Sequence, residues 1–125
     1  MRIGAFAIVV PSYDAGINFY VGKLGFDLLE DTDMGGGKRW VMVRPQGGGS
    51  AIILAKATNS EQEAAIGKQT GGRVSFFLES CDFQKDHVDY VAAGVEFEEA
   101  PRSEPYGMVA VFHDPFGNRW DLLGR

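Results

Sequence analysis

The chain has 125 residues, 45% of them hydrophobic and 23% charged, with a net charge of −5 and a single cysteine. That length suits one compact domain with its own core. No apolar run reaches the roughly 18 residues of a membrane span, and an acidic chain without a basic run lacks the footprint of a nucleic-acid or acidic-membrane binder.

Ile3 to Val10 is short and apolar, without the small-residue cleavage site of a signal peptide, and is expected as a first strand. Ile17, Tyr20, Val21 and Leu24 then fall at i, i+3, i+4 and i+7, the stripe of a helix with one buried face. Ser12 or Asp14 is expected to cap that helix, and Gly25 to end it in the left-handed region. Three strands follow: Gly25-Phe26 to Glu30, Arg39 to Arg44 and Ala51 to Ala55. Gly35-Gly36-Gly37 and Gly47-Gly48-Gly49 are expected as hairpin turns. Neither stands between a strand and a helix, as a phosphate loop requires. In the middle strand Trp40 and Met42 face opposite to Val41 and Val43. Lys56 to Gly72 links the halves, with a short helix over Glu61 to Ile66 and turns at Gly67 and Gly71-Gly72.

The second half repeats the order. Arg73 to Leu78 is the expected strand. A helix follows, capped by Asp82, buried along Val88, Val91, Ala92 and Val95, and stopped by Gly94. A run to Glu99, a polar loop from Ala100 to Pro105 ending at Tyr106-Gly107, and strands over Met108 to His113 and Arg119 to Leu123 complete it. Each half reads strand, helix, three strands. Module one covers about residues 1–56, the linker about 57–71 and module two about 72–125. Cys81 has no partner for an intrachain disulfide and nothing nearby to activate it, which agrees with a structural role in a cytoplasmic protein.

Two motifs carry a family resemblance: Phe19-Tyr20 followed by Leu24-Gly25-Phe26, and Asp114-Pro115-Phe116-Gly117-Asn118-Arg119-Trp120-Asp121-Leu122. In the second, Asp-Pro starts a tight turn and Gly117-Asn118 is expected to supply positive φ. With these motifs the chain resembles the vicinal oxygen chelate superfamily, the glyoxalase, bleomycin-resistance and extradiol-dioxygenase group. The resemblance implies an α+β fold of two tandem βαβββ modules, whose curved mixed sheets enclose a cleft. It also implies homodimerisation, with a module of one chain paired to a module of its partner or, alternatively, both modules paired within one chain. In catalytic members, His and carboxylate side chains on the first and last strands of each module hold a divalent metal that chelates two substrate oxygens.

Carried over residue by residue, those ligand positions fall on Ala5, Leu54, Arg73 and Asp121. Ala5 and Leu54 have no donor atoms, and Arg73 repels a cation. Only Asp121 is a possible ligand, so no metal and no cofactor is expected. His87 and His113 stand in no ligand spacing and read as ordinary surface or half-buried histidines. Since the first and last strands of a module are neighbours in this fold, an Arg73–Asp121 ion pair is expected where the metal would be. It would serve either as a strut or as a fork for an anionic or carbonyl-bearing ligand.

Arg39, Trp40, Arg44, Phe77, Tyr106, Arg119 and Trp120 lie in segments able to face a cleft, suiting a small planar or amphipathic ligand. Alternation from Asp121 puts Arg119 and Leu123 on its face and turns Trp120 away, so Phe77 is the better aromatic candidate. The expected ligand set is Arg73, Asp121, Phe77, Tyr106, Leu54 and Arg119, around an unknown small organic molecule. The leading expectation is a metal-free binding module resembling the bleomycin-resistance members. The alternatives are a glyoxalase-like lyase or isomerase or a dioxygenase, metal-dependent or metal-independent, in the latter case with Asp121 as base and Arg73 as electrophile, or a dimerising scaffold.

Overall fold

The computed structural model describes residues 1–124, which divide into two compact units, the first Met1–Ile66 and the second from Gly67 onward. The first unit contains β1 (Ala5–Val10), α1 (Tyr13–Tyr20), β2 (Asp27–Gly35), β3 (Lys38–Arg44), β4 (Ala51–Lys56) and α2 (Ser60–Ala65). Its sheet order is β1-β4-β3-β2, with β1 and β4 parallel and the other pairs antiparallel. The second unit contains β5 (Phe76–Ser80), α3 (Phe83–Ala92), β6 (Glu96–Phe97), β7 (Arg102–Glu104), β8 (Gly107–His113) and β9 (Arg119–Gly124). Its order is β5-β9-β8-β6, with β7 also on β8, and β5 parallel to β9. The class is therefore α+β, with a βαβββ unit in the first half and the same plan plus one short strand in the second. Among the described residues no helix is long and apolar enough to cross a membrane.

Helix α1 starts where Ser12 Oγ accepts the Ala15 N–H at 3.1 Å, and Gly25 leaves it at φ 74°. Its buried face is Tyr13, Gly16, Phe19 and Tyr20, continued by Leu24. Of the expected stripe, Tyr20 and Leu24 are buried, whereas Ile17 and Val21 are only half-buried. Gly16 lets the helix sit directly on the sheet: a Cβ there would stand 2.9 Å from Leu54 Cδ1 and 3.3 Å from Val10 Cγ1. Ile8, Val10, Val41, Val43 and Leu54 are accordingly almost fully buried.

Helix α3 is capped by Asp82, which accepts the Lys85 N–H at 3.3 Å. Of its expected aliphatic stripe only Val95 is buried. Val88 and Val91 are 63% and 52% exposed, and the core-facing residues are aromatic. Phe83 stacks on His87 at 6.0 Å, His87 meets Phe97 at 4.5 Å, and Tyr90 meets Phe112 at 5.9 Å. Phe83, His87 and Tyr90 also recur at i, i+4 and i+7, and their larger apolar area decides which stripe turns inward. Burial pushes the Tyr90 hydroxyl up to about 12, with Asp86 adding to the effect.

The final turn is built around Asp114. Its Oδ1 accepts the N–H groups of Phe116 and Asn118 at 2.9 and 2.8 Å, and its Oδ2 accepts the Asn118 amide at 2.6 Å. Gly117 takes φ 103°, but Asn118 does not share the positive φ expected of it. The buried Asn118 side chain is instead held by Asp114.

Gly67 packs under this turn at φ 71°, where a Cβ would lie 1.9 Å from the Phe116 carbonyl oxygen. Gly71 has a similar φ of 68° but open space around it. Gly71→Ala should cost only the strain of the left-handed backbone, about 1–2 kcal/mol. Gly67→Ala should cost clearly more, about 3 kcal/mol or above, because backbone must move. Urea unfolding of the two variants measures the gap, and equal losses would refute the close approach.

Candidate functional site

In each unit the longer helix, α1 or α3, covers one sheet face, and the opposite face is free of it. In the first unit the helix-free face presents Ala7, Val9, Ile53, Ala55, Met42 and Arg44, with Ala7 opposite Ile53 and Met42 opposite Ile53. Leu54 points the other way, beneath α1, and is 1% exposed. That corrects its expected place in the ligand set: the neighbouring Ile53 takes the helix-free side. Arg39 is likewise on the helix side. Its guanidinium binds Asp31 through Nε and Nη2 at 3.0 and 2.7 Å and Asp14 at 2.9 Å, over the Tyr13 ring. A surface depression at the β2–β3 hairpin, lined by Asp31, Asp33, the three glycines and Arg39, offers a phosphate two carboxylates and an arginine that is already paired.

In the second unit the register places Phe77 opposite Asp121 and Val111 opposite Asp121 on the other side. Arg119, Asp121 and Leu123 share this face, while Trp120 turns into the core between Phe76 at 4.7 Å and Phe112 at 5.8 Å. Phe77 is 60% exposed. Tyr106, also exposed, sits in the turn between β7 and β8, so the expected loop over Ala100 to Pro105 is in part a hairpin.

Arg73 does not reach this face. The expected strand begins three residues later, at Phe76, and Arg73 is exposed in the preceding turn. The hydroxyls of Thr70 and Ser75 both donate to the Arg73 carbonyl, at 3.0 and 3.2 Å, and Gly71 and Gly72 have positive φ. Ser75 N–H then donates to Arg119 O at 3.0 Å, which fixes the register and leaves Arg73 four positions short of Phe77. Among the described residues the ion pair Arg73–Asp121 is not formed.

The charges gathered on this face are different ones. Glu98 receives Arg119 Nε at 3.1 Å and a second, shorter bond from Arg119 Nη2, and its Oε2 is 2.5 Å from His113 Nε2. Arg119 Nη1 also donates to Gly72 O at 3.0 Å. Arg102 is paired with Glu99 and, at 2.8 Å, with Glu104. The bond from Arg119 holds the Glu98 carboxyl below the usual carboxylate range, with His113 adding. Glu98 and His113 escaped sequence reasoning. The signal for His113 was only its position at the end of β8, and Glu98 lies just past a two-residue strand, where alternation is too short to read.

Two buried side-chain atoms among the described residues lack a hydrogen-bond partner, Arg44 Nε and Asp121 Oδ1. Both belong to residues on the helix-free faces. Buried polar atoms are almost always paired, so each orphan requires an account. Asp121 is raised above the ordinary Asp value chiefly by burial, with Glu99 and Glu98 adding and Arg102 and Arg119 opposing.

The donor set does not suit the divalent metal of catalytic superfamily members. On the helix-free faces the carried-over first-strand position stays Ala5, and the first and last strands offer only two carboxylates, Glu79 and Asp121, two register positions apart. Among the described residues no three His, Cys, Asp or Glu side chains gather as a metal-holding group.

Residues 2–122 match the family model described as Glyoxalase/Bleomycin resistance protein/Dioxygenase superfamily. An uncharacterised protein of Shewanella frigidimarina (strain NCIMB 400) is 49% identical over 119 residues, 94% of this chain and 88% of that one. Among solved structures, UcmS2 superposes with a TM-score of 0.85 at 27% identity, covering 98% of this chain and 97% of that chain. TnmS3, named an antibiotic binding protein, from Streptomyces sp. CB03234, superposes with a TM-score of 0.79 at 27% identity, covering 99% and 95%. The chain belongs to the Glyoxalase/Bleomycin resistance protein/Dioxygenase superfamily, and its fold is the glyoxalase fold.

The two carboxylates have opposite pH signatures. Asp121 holds its proton more tightly when folded, so the fold loses stability as pH rises through and above 3.8, and the loss persists at neutral pH. Asp121→Asn should therefore raise Tm by about 1–4 °C at neutral pH, the gain shrinking in acid. Glu98 binds its proton less tightly when folded, so its contribution is present at neutral pH and lost as pH falls through its lowered value. Glu98→Gln should lower Tm at neutral pH and converge with wild type in acid. Thermal melts by circular dichroism across the acidic range read both slopes; an Asp121→Asn variant less stable than wild type at every pH would contradict an uncompensated charge.

Proposed function

We propose that this chain is a small-molecule-binding protein that works without a bound metal. It would hold a compact planar or amphipathic organic molecule against its helix-free sheet faces. The observation that carries the reading is the state of Asp121: a half-buried carboxylate with an unpartnered oxygen, set beside an exposed phenylalanine. A fold optimised only for stability would pair or remove it. The likeness to TnmS3, an antibiotic binding protein, supports the same reading. Phe77 supplies ring area, Asp121 a polar anchor and Tyr106 a contact at the β7–β8 turn. Arg119 acts by fixing Glu98, and Leu54 and Arg73 leave the expected set. The proposed assembly is a homodimer in the cytoplasm, a module of one chain closing on a module of its partner; the lone exposed Cys81 suits that compartment.

One observation favours a second reading, a metal-independent isomerase or lyase. His113 and Glu98 form a base-and-orienter pair on the face that also holds Asp121, an arrangement used in proton transfer.

Titration calorimetry with bleomycin and a panel of planar aromatic compounds, together with light scattering for mass, tests the first reading. The expected result is saturable binding by a particle of twice the chain's mass, weakened about tenfold or more by Phe77→Ala, the loss of roughly one aromatic contact. A monomer would refute dimer closure. Product formation from a bound compound, abolished by His113→Gln, would move the second reading to first place.

A further inference from the structure

Resting on the binding reading above, the geometry points to a cation-recognising half-site on the second unit: we propose that Asp121 and Phe77 together select ligands that carry a protonated amine on an aromatic frame. The cations around Asp121 are already committed elsewhere. Arg119 gives its fork to Glu98 and a third N–H to the Gly72 carbonyl. Arg102 is shared between Glu99 and Glu104. Arg73 is held four positions upstream of Phe77 by its turn. His113 faces Glu98. The electrostatic neighbours of Asp121 thus comprise two arginines, each engaged by other carboxylates, together with Glu98 and Glu99. Counting Glu104, which holds Arg102, this cluster has four carboxylates against two arginines. The local field favours a cation, and no side chain among the described residues supplies one to Asp121 Oδ1.

A carboxylate oxygen cut off from water and left without a donor, as Asp121 Oδ1 is, is costly, and a ligand N–H would offset that cost. An ammonium group does so best, since a charge-assisted bond is roughly twice as strong as a neutral one. Phe77 adds a second requirement. Its ring lies on the neighbouring strand directly opposite Asp121 and is mostly exposed, so it offers a face for stacking and for cation–π attraction beside the carboxylate. Carboxylate and ring on adjacent strands match a molecule whose amine is one or two bonds from an aromatic ring.

Three probes of equal frame separate the contributions: 2-naphthylmethylamine, 2-naphthylmethanol and 2-naphthoate, each titrated by calorimetry into the wild-type chain and into Asp121→Asn, Asp121→Glu and Phe77→Ala. The amine is expected to bind at least tenfold more tightly than the alcohol, and the naphthoate least. Asp121→Asn should abolish the amine's advantage while leaving the alcohol's affinity within twofold, and Asp121→Glu should restore part of it. Phe77→Ala should weaken amine and alcohol alike. The Asn variant is expected to be at least as stable as wild type at neutral pH, so misfolding will not mimic the result. Equal binding of all three probes, or an amine preference that survives Asp121→Asn, overturns the cation site and leaves the binding reading standing. Binding of none of them overturns both.

Discussion

The parallel pairing of β5 with β9 is the constraint on which the second unit depends. Parallel neighbours cannot be joined by a hairpin, so the chain must leave the sheet, cross it as α3 and return through β6 to β8 before β9 can lie beside β5. The register is anchored at its lower end by the turn over Thr70 to Ser75 and by the bond from Ser75 N–H to Arg119 O. Everything on the helix-free face follows from it. Phe77 faces Asp121, Trp120 enters the core, and Arg119 reaches Glu98. A slip of one residue would exchange the two faces and bury the charges. β1 and β4 impose the same logic on the first unit, where Ile53 and Leu54 are sent to opposite sides.

Charge on that face is allotted unevenly. Arginines are plentiful enough to neutralise Asp121, but geometry assigns them elsewhere: Arg119 to Glu98, Arg102 to Glu99 and Glu104. What remains is a carboxylate held above its ordinary value mainly by burial. Residues of this kind are enriched at functional sites, which is why Asp121 carries the binding proposal. Superfamily membership alone would not supply that conclusion, because one fold serves many chemistries. The reading rests on the site's own residues, which among those described bring together no metal-holding group and set a ring beside Asp121.

Much of the architecture was legible in the sequence. The order of strands and helices apart from the short β7, the glycine turns at residues 35–37 and 47–49, a first cap at Ser12 or Asp14, the Asp82 cap and the opposition of Trp40 and Met42 to Val41 and Val43 all rest on local preferences. Glycine tolerates positive φ and strands alternate with period two, whatever packs around them. Other features were not legible. The aliphatic stripe of α3 competed with an aromatic one of equal periodicity, and burial against Phe97 and Phe112 decided between them. The strand expected from Arg73 starts at Phe76, because two hydroxyls capture the Arg73 carbonyl. The meeting of Glu98, His113 and Arg119 joins residues up to 21 positions apart.

By itself the sequence determined the two-module plan and the identity of Asp121 as the one acidic residue at a carried-over ligand position. These depend on composition, on turn chemistry and on spacing within a few residues, all of which are local. Only the tertiary structure decided that Asp121 meets Phe77 rather than Arg73, that Leu54 lies under a helix, and that Arg119 belongs to Glu98. The first two outcomes depend on the relative register of strands more than 40 residues apart and the third on residues 21 apart, all set by a few backbone hydrogen bonds and by which residues the core can bury.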